Sequence, residues 1–230
     1  MDAQQIISII IFVVTMAAIM TEKVHRALAA VAGATLLLVC QILDVESLAS
    51  YIDFNTVGIL IGMMLFVSVV KISGLFEYIA IKAAKLSKGK PWIIMILFFI
   101  ITAVLSAFLD NVTTVLLVGP MTIAVTEMLG LNPVPFLITQ ILASNIGGTA
   151  TLIGDPPNIM IGSAAGLSFN DFIVNTGVPA VIIGILTILC FYFIYGRKLH
   201  VTPEKMAAVM ELDENKAIKD KVLLIQSVVV

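Results

Sequence analysis

The sequence predicts an all-α polytopic membrane protein, and three observations carry that prediction. Of 230 residues, 60% are hydrophobic and 12% charged, against about 25% charged in soluble domains. The mean hydropathy of +1.12 is too apolar for a soluble globular chain of this length. The apolar residues also gather into runs, at 6–20, 27–43, 54–70, 92–109, 115–129, 135–143, 159–165 and 172–195. At 1.5 Å per residue, about 20 residues cross the hydrocarbon, so several runs suffice while the middle ones are short or broken. The same composition weighs against a nucleic-acid partner, because the net charge is −2 and a basic patch is missing. Cys40 and Cys190 both lie inside apolar runs and make no disulfide scaffold.

Run 6–20 follows only Asp2 and lacks a basic leader, so it reads as an uncleaved span rather than a signal peptide. All 13 Lys and Arg fall on alternate loops: Lys23 and Arg26, then Lys71 to Lys90, then Arg197 to Lys221. The loop with Asp44, Glu46 and Asp53 has none, nor has the short one with Asp171. The positive-inside rule makes the basic loops cytoplasmic. The expectation is a multi-pass protein of the cell membrane with its N-terminus outside.

Runs 27–43 and 54–70 complete a group of scaffold spans over residues 1–70. Segment 71–90 is not a span. Ile72, Leu75, Phe76, Ile79, Ala83 and Leu86 share one helical face, with Lys71, Lys82 and Lys85 beyond its edge. That pattern predicts an amphipathic helix lying in the membrane interface. Residues 91–195 hold the broken runs discussed next. Segment 196–221 is polar and helix-friendly, a cytoplasmic linker. Residues 222–230 turn apolar but are too few to span, and read as the start of a further, truncated helix.

Polar and helix-breaking residues cluster twice. The first cluster is Leu109-Asp110-Asn111-Val112-Thr113-Thr114; the second runs from Ser144 to Asn158 through Gly147-Gly148, Gly154 and Asp155-Pro156-Pro157. Glycine costs a helix about 1 kcal/mol and interior proline about 3 kcal/mol relative to Ala. The second cluster therefore predicts a half-helix ending near Ser144, an unwound stretch, and a new helix from about Pro157, with Asp155 as its cap. Non-helical backbone at membrane depth is tolerated inside protein or along a cavity. Such breaks form ion and substrate sites in secondary transporters, where half-helix N-termini favour anions and loop carbonyls ligate cations. The first cluster fits either a re-entrant hairpin tip or an outside loop between two full spans, and the charge rule gives both the same parity.

These stretches carry a resemblance. Ser106-Ala107-Phe108-Leu109-Asp110-Asn111-Val112-Thr113-Thr114-Val115-Leu116-Leu117, followed by Asn145-Ile146-Gly147-Gly148-Thr149-Ala150-Thr151-Leu152-Ile153-Gly154-Asp155-Pro156-Pro157-Asn158, resembles the arsenite-permease and pigment-cell P-protein branch of the ion transporter superfamily. A weaker match upstream, Val24-His25-Arg26-Ala27-Leu28-Ala29-Ala30, extends it over nearly the whole chain. The resemblance implies one inverted-repeat unit: scaffold helices, an interfacial arm, a re-entrant helical hairpin over 92–129, a broken transmembrane helix over 135–165 and a final span over 172–195. It also implies a substrate and ion site drawing on Asp110, Asn111, Thr113, Thr114, Asn145, Gly147, Gly148, Thr149, Asp155 and Asn158, with Na⁺ at Asn111, Thr113, Asn145 and Gly148. Dicarboxylate symporters of the superfamily carry a Ser-Asn-Thr tip, whereas this chain has Asp110-Asn111-Val112-Thr113. The tip is closer to the arsenite and P-protein pattern.

The functional expectation is a half-length secondary transporter of a small anion or oxyanion-like solute such as arsenite, coupled to Na⁺ or H⁺ and using no cofactor. A sodium/proton antiporter is the alternative. A second alternative is a non-transporting subunit or fragment that needs a missing second repeat or a homo-oligomer. Asp110 and Asp155 are intramembrane acids, costly unless functional, and each can ligate a cation, carry a proton or cap a helix. Glu127 is expected at an interface. His25 and His200 lack a partner at ligand spacing. The two Cys and 11 Met read as packing. No nucleophile triad, phosphate loop or metal cluster points to an enzyme.

Overall fold

A computed structural model describes residues 2–229, and the described secondary structure is entirely helical. Two compact units divide after Phe54. In the first, α1 (Ala3–Met20) opens on a capping box between Asp2 and Gln5. Helix α2 (Arg26–Val39) is capped by His25, whose Nδ1 accepts from the Ala27 N–H at 3.3 Å. The two helices pack together at Gly33, where an added Cβ would lie 2.4 Å from Thr15 Oγ1. Short helical turns at Val45–Leu48 and Ala49–Tyr51 follow, where the sequence pattern predicts only a loop.

The second unit holds α3 (Phe54–Ser73), α4 (Leu75–Leu86), α5 (Pro91–Ser106), α6 (Asn111–Leu129), α7 (Val134–Thr149), α8 (Pro156–Ala165) and α9 (Val178–Ile194). Helix α9 is entered through Phe169–Phe172 and a π-turn at Ile173–Gly177. Among the described residues, four helical stretches are long and apolar enough to cross a membrane: Ala3–Met20, Phe54–Ser73, Asn111–Leu129 and Phe169–Lys198. The chain is an all-α polytopic membrane protein. The element boundaries have local causes. Pro91 opens α5 at its first turn, where a missing N–H costs nothing. Asp110 caps α6, and Gly130 closes it in the left-handed region.

The α7 boundary corrects the sequence reading. The helix runs on to Thr149 rather than ending near Ser144, so Gly147 and Gly148 are helical and the unwound stretch is 150–155. The reason is tertiary. An added Cβ on Gly147 would lie 2.0 Å from the Ala103 carbonyl oxygen. Glycine here is the contact that lets α7 press against α5, and that packing outweighs glycine's low helix propensity.

Within segment 71–90, Phe76, Ala80, Ile81, Ala83 and Ala84 are buried against protein, while Ile72 and Leu86 are exposed. The small residues face protein: Ala80, Ala83 and Ala84 join Ile94, Phe98, Val125, Leu129 and Val209 in one core cluster. Val209 belongs to α10 (Pro203–Met210), inside the segment read as linker. The linker therefore docks. Lys85 Nζ meets Glu214 Oε2 at 2.5 Å, and the Lys219 N–H donates to the Ser73 carbonyl at 3.1 Å. Gly74, at φ 84°, leaves room for the Ala217 carbonyl, which a Cβ would approach to 1.9 Å. Helix α11 (Lys221–Val229) then begins, as the late apolar run predicts.

Candidate functional site

The two polar clusters meet. Asn111, the first residue of α6, is their hub. Its Oδ1 accepts from Ser106 Oγ at 2.6 Å. Its Nδ2 donates to Asp155 Oδ1 at 2.7 Å and to Asn145 Oδ1 at 3.4 Å. One amide thus links the last turn of α5, the body of α7 and the unwound segment before α8. Gly148 makes the closeness possible, since a Cβ there would fall 2.4 Å from Asn111 Oδ1 and 3.2 Å from Asp155 Oδ2.

The backbone around the hub is tied across the same junction. Ser106 Oγ lies 2.7 Å from the Ser144 carbonyl, so its one proton is shared between that oxygen and Asn111. Thr151 Oγ1 donates to the Ala107 carbonyl and accepts from the Gly154 N–H at 3.1 Å. Asn158 Nδ2 reaches back to the Gly148 carbonyl at 3.1 Å and the Thr151 carbonyl at 2.8 Å. The Asn158 amide thus satisfies the Thr151 carbonyl of the unwound stretch and the Gly148 carbonyl of the last helical turn, the kind of support that non-helical backbone away from water requires.

Of the residues expected at the site, Asn111, Asn145, Gly148, Asp155 and Asn158 come together. Asp110 does not join them directly: its Oδ1 accepts from the Thr113 N–H at 2.9 Å, which makes it the cap of α6. Of the roles open to Asp155, capping α8 is not the one its side chain takes. It holds the cap position but makes no cap bond, and its carboxylate turns to Asn111 instead. Thr113 and Thr114 lie within the first turn of α6, and Thr114 is fully buried. Gly147 serves packing on α5, and the Thr149 hydroxyl donates to the Asn145 carbonyl at 2.8 Å.

A cavity of about 290 Å³ opens beside the hub, lined by Asn145, Thr149, Asn175 and Thr176 among others. The sequence reading passed over Asn175 and Thr176, although Asn175-Thr176 is the one pair of adjacent polar residues with hydrogen-bonding side chains in the apolar part of run 172–190. It likewise left Ser106 and Thr151 out of the site, though both stand inside the two motifs. Two helix N-termini, of α6 and α8, open at the cluster, and their aligned peptide dipoles favour negative charge there. Among the described residues no group of three or more His, Cys, Asp or Glu could hold a transition metal. The donor set is oxygen from one carboxylate, amides and backbone, the kind that suits a hard cation.

At the entry to the last span, Asp171 accepts from the Ser168 hydroxyl at 2.7 Å and its N–H at 2.8 Å. Beyond the membrane-spanning segments, one acid is held below the usual carboxylate range. Glu214 is lowered chiefly by its hydrogen bond from Lys85.

Comparison with known proteins adds the following. Residues 16–230 match the family described as citrate transporter. A 46 kDa membrane protein of Mycobacterium leprae is 42% identical over 229 residues, covering 98% of this chain and 53% of that protein. An uncharacterized transporter of Mycobacterium tuberculosis is 40% identical over 225 residues, 96% of this chain and 52% of its own length. The human P protein is 44% identical over 200 residues, 80% of this chain and 23% of its own length. The chain spans about half the length of the mycobacterial relatives it matches.

Proposed function

The chain belongs to the citrate transporter family, and we propose that it forms half of a secondary active transporter for a small anion or oxyanion-like solute such as arsenite, driven by a gradient of Na⁺ or H⁺. The observation that carries this reading is the Asn111–Asp155–Asn145 cluster, which joins α5 and the start of α6 to the break between α7 and α8. The Asn111 amide occupies the place a cation would take, between the Asp155 carboxylate and the Asn145 carbonyl oxygen. Turning that amide over replaces its donor with Oδ1 and sets oxygens of Asn111, Asp155 and Asn145 around one point, a partial oxygen shell for Na⁺. A cation there neutralises Asp155, and the N-termini of α6 and α8 can then hold an anion alongside. Solute binding and cation binding become one event, which is coupling.

We read α5 and α6 as a re-entrant hairpin. Pro91–Ser106 has 16 residues, about 24 Å of helix, less than the hydrocarbon thickness of about 30 Å. The ties from Ser106 and Ala107 to Ser144 and Thr151 support a tip held at the level of the break. A complete solute site would draw on a second inverted repeat or a second copy of the chain, in keeping with relatives of twice the length.

Proteoliposomes of the chain test this by arsenite, citrate and Na⁺ flux under an imposed Na⁺ or pH gradient. Gradient-driven solute uptake that is lost in Asp155→Asn and Asn111→Ala is the expected result. Uptake surviving both substitutions would overturn the site assignment. A second reading rests on the Asp155 carboxylate itself: Na⁺-for-H⁺ exchange without solute movement would make the chain an antiporter. Silence of the chain alone, relieved by co-expression of a second half from a relative, would make it a subunit.

A further inference from the structure

A groove runs between α5 and α9 and reaches α7 at Ile146 and Gly147, behind the hub. Its deep part, about 430 Å³, is walled by Phe99, Ala103, Ala107, Gly147, Gly184 and Ile188. A narrow crevice lined by Trp92, Ile96 and Phe191 continues it, and the two share Phe99 and Ile188. The only polar side chains on these walls, Thr139 and Thr187, donate their hydroxyls to the backbone of their own helix, to Phe136 at 2.6 Å and Ile183 at 2.8 Å. Ile100, Val104, Val181 and Ile185 stand exposed along its mouth. From Trp92 to Ala107 the groove follows fifteen residues of chain, roughly 22 Å as helix, longer than one leaflet's share of the hydrocarbon, about 15 Å.

The Trp92 end is different in chemistry. The backbone of Gly196 lies so near the indole that an added Cβ would come within 2.9 Å of the ring. This brings Arg197 and Lys198 beside the start of α5, where Lys88 and Lys90 stand. All four cations are exposed, and among the described residues none has a carboxylate within ion-pair distance, the one ion pair being Lys85 with Glu214. The Trp92 ring packs against Tyr192 at 5.2 Å, and the Arg197 guanidinium lies 5.9 Å from the Phe193 ring. The indole N–H donates to no described residue. Aromatic rings and uncompensated cations at the end of an apolar groove longer than one leaflet match the two ends of one molecule.

We propose that the α5–α9 groove binds an anionic phospholipid, one acyl chain lying along Phe99, Ala103 and Gly184 and the phosphate held by Lys90, Arg197 and Lys198 beside Trp92. Charge decides the occupant. A helix of a protein partner would fill the apolar part and leave the cations unmatched, whereas a phosphodiester matches both. The groove ends behind Gly147 and Ala107, which hold the hairpin against α7, so the lipid would brace that contact from its outer side.

Trp92 is the sole tryptophan and reports on the site directly. The chain is reconstituted in phosphatidylcholine vesicles containing a minor fraction of brominated phosphatidylglycerol or, in parallel, brominated phosphatidylcholine. Trp92 fluorescence is expected to be quenched more by the anionic lipid at equal mole fraction. That preference should fall roughly fivefold per charge removed through Lys90→Gln, Arg197→Gln and Lys198→Gln. Gly184→Leu, which fills the groove and leaves the cations in place, should abolish it, with circular dichroism confirming that each variant is folded. Equal quenching by both lipids would overturn the proposal. So would a preference that survives Gly184→Leu, which is a diffuse surface attraction, or an absence of quenching by either lipid, which places protein over the groove.

Discussion

Helices α1 and α6 are nearly equal in length and opposite in use. The more apolar one, α1, has a mean hydropathy of 2.2 and buries none of its residues. Helix α6 has a mean hydropathy of 1.7 and buries eight: Thr114, Leu117, Val118, Gly119, Thr122, Val125, Thr126 and Leu129. In water the order would be reversed. In a bilayer the lipid tails are as apolar as leucine, so hydrophobicity does not draw one helix to another. Helices instead meet where small residues allow close approach and where Thr, Ser, Asn or Gln find partners that lipid cannot offer. Gly147 on Ala103, Ser106 on Ser144 and Gln140 on Thr122 are the contacts that do this in the second unit.

The contrast can be broken most forcefully at Gly147. Gly147→Leu forces a side chain into the Ala103 carbonyl, and overpacking of this kind costs about 1–3 kcal/mol or more. The expected outcome is a large loss of thermal stability in detergent, together with loss of any flux. Unchanged melting would mean that α5 and α7 are not held by this contact.

Gln140 sharpens the point. Its amide donates to Thr122 Oγ1 at 2.5 Å inside a fully buried site. Thr122→Val strands that amide and should cost about 1–3 kcal/mol. Adding Gln140→Leu removes both polar groups and should restore much of the loss. A double-mutant cycle measures the coupling, and simple additivity would refute it.

A smaller effect is expected at the docked linker. The Glu214 carboxyl is lowered in the folded chain by Lys85, so its contribution is full above the unfolded value of about 4.3. It is lost as pH falls through the lower, folded value. Hydrogen exchange over 203–219 should therefore quicken on acidification, and Glu214→Gln should produce the same loosening at neutral pH. Protection that is unchanged in both would show that Val209 and the backbone contacts to Ser73 and Gly74 hold the strap without the ion pair.

The smallest change is expected on α1. Phe12 is 65% exposed, and Phe12→Ala should shift stability by no more than about 0.5 kcal/mol. A shift of several times that in detergent would show that this face is covered.

Much of this was open to reading from residue order alone. The spans announce themselves by run length, and the hub by acids, glycines and prolines that no lipid-facing helix would carry. Asp155 stands out as an acid costly at membrane depth, and Asn111, Asn145, Gly148 and Asn158 could be picked out through the resemblance that the two motifs carry. Which partner each takes was not legible. Asp110 and Asp155 are the same residue type beside a helix start, yet one caps its helix and the other turns away to Asn111. That choice depends on where α5 sits against α7, and no local pattern encodes it.

The sequence by itself determined an all-helical membrane chain, the places where its helices break and the family to which the breaks point. Hydrophobic length, helix propensity and charge are properties of a segment and act before any packing. Only the tertiary structure decided that α7 continues through Gly147 and Gly148, that α4 buries its alanines against protein, and that Val209 anchors the linker. These outcomes turn on fit between surfaces distant in sequence. In a bilayer, where apolar area gains nothing by leaving lipid, that fit is what sorts the faces of a helix.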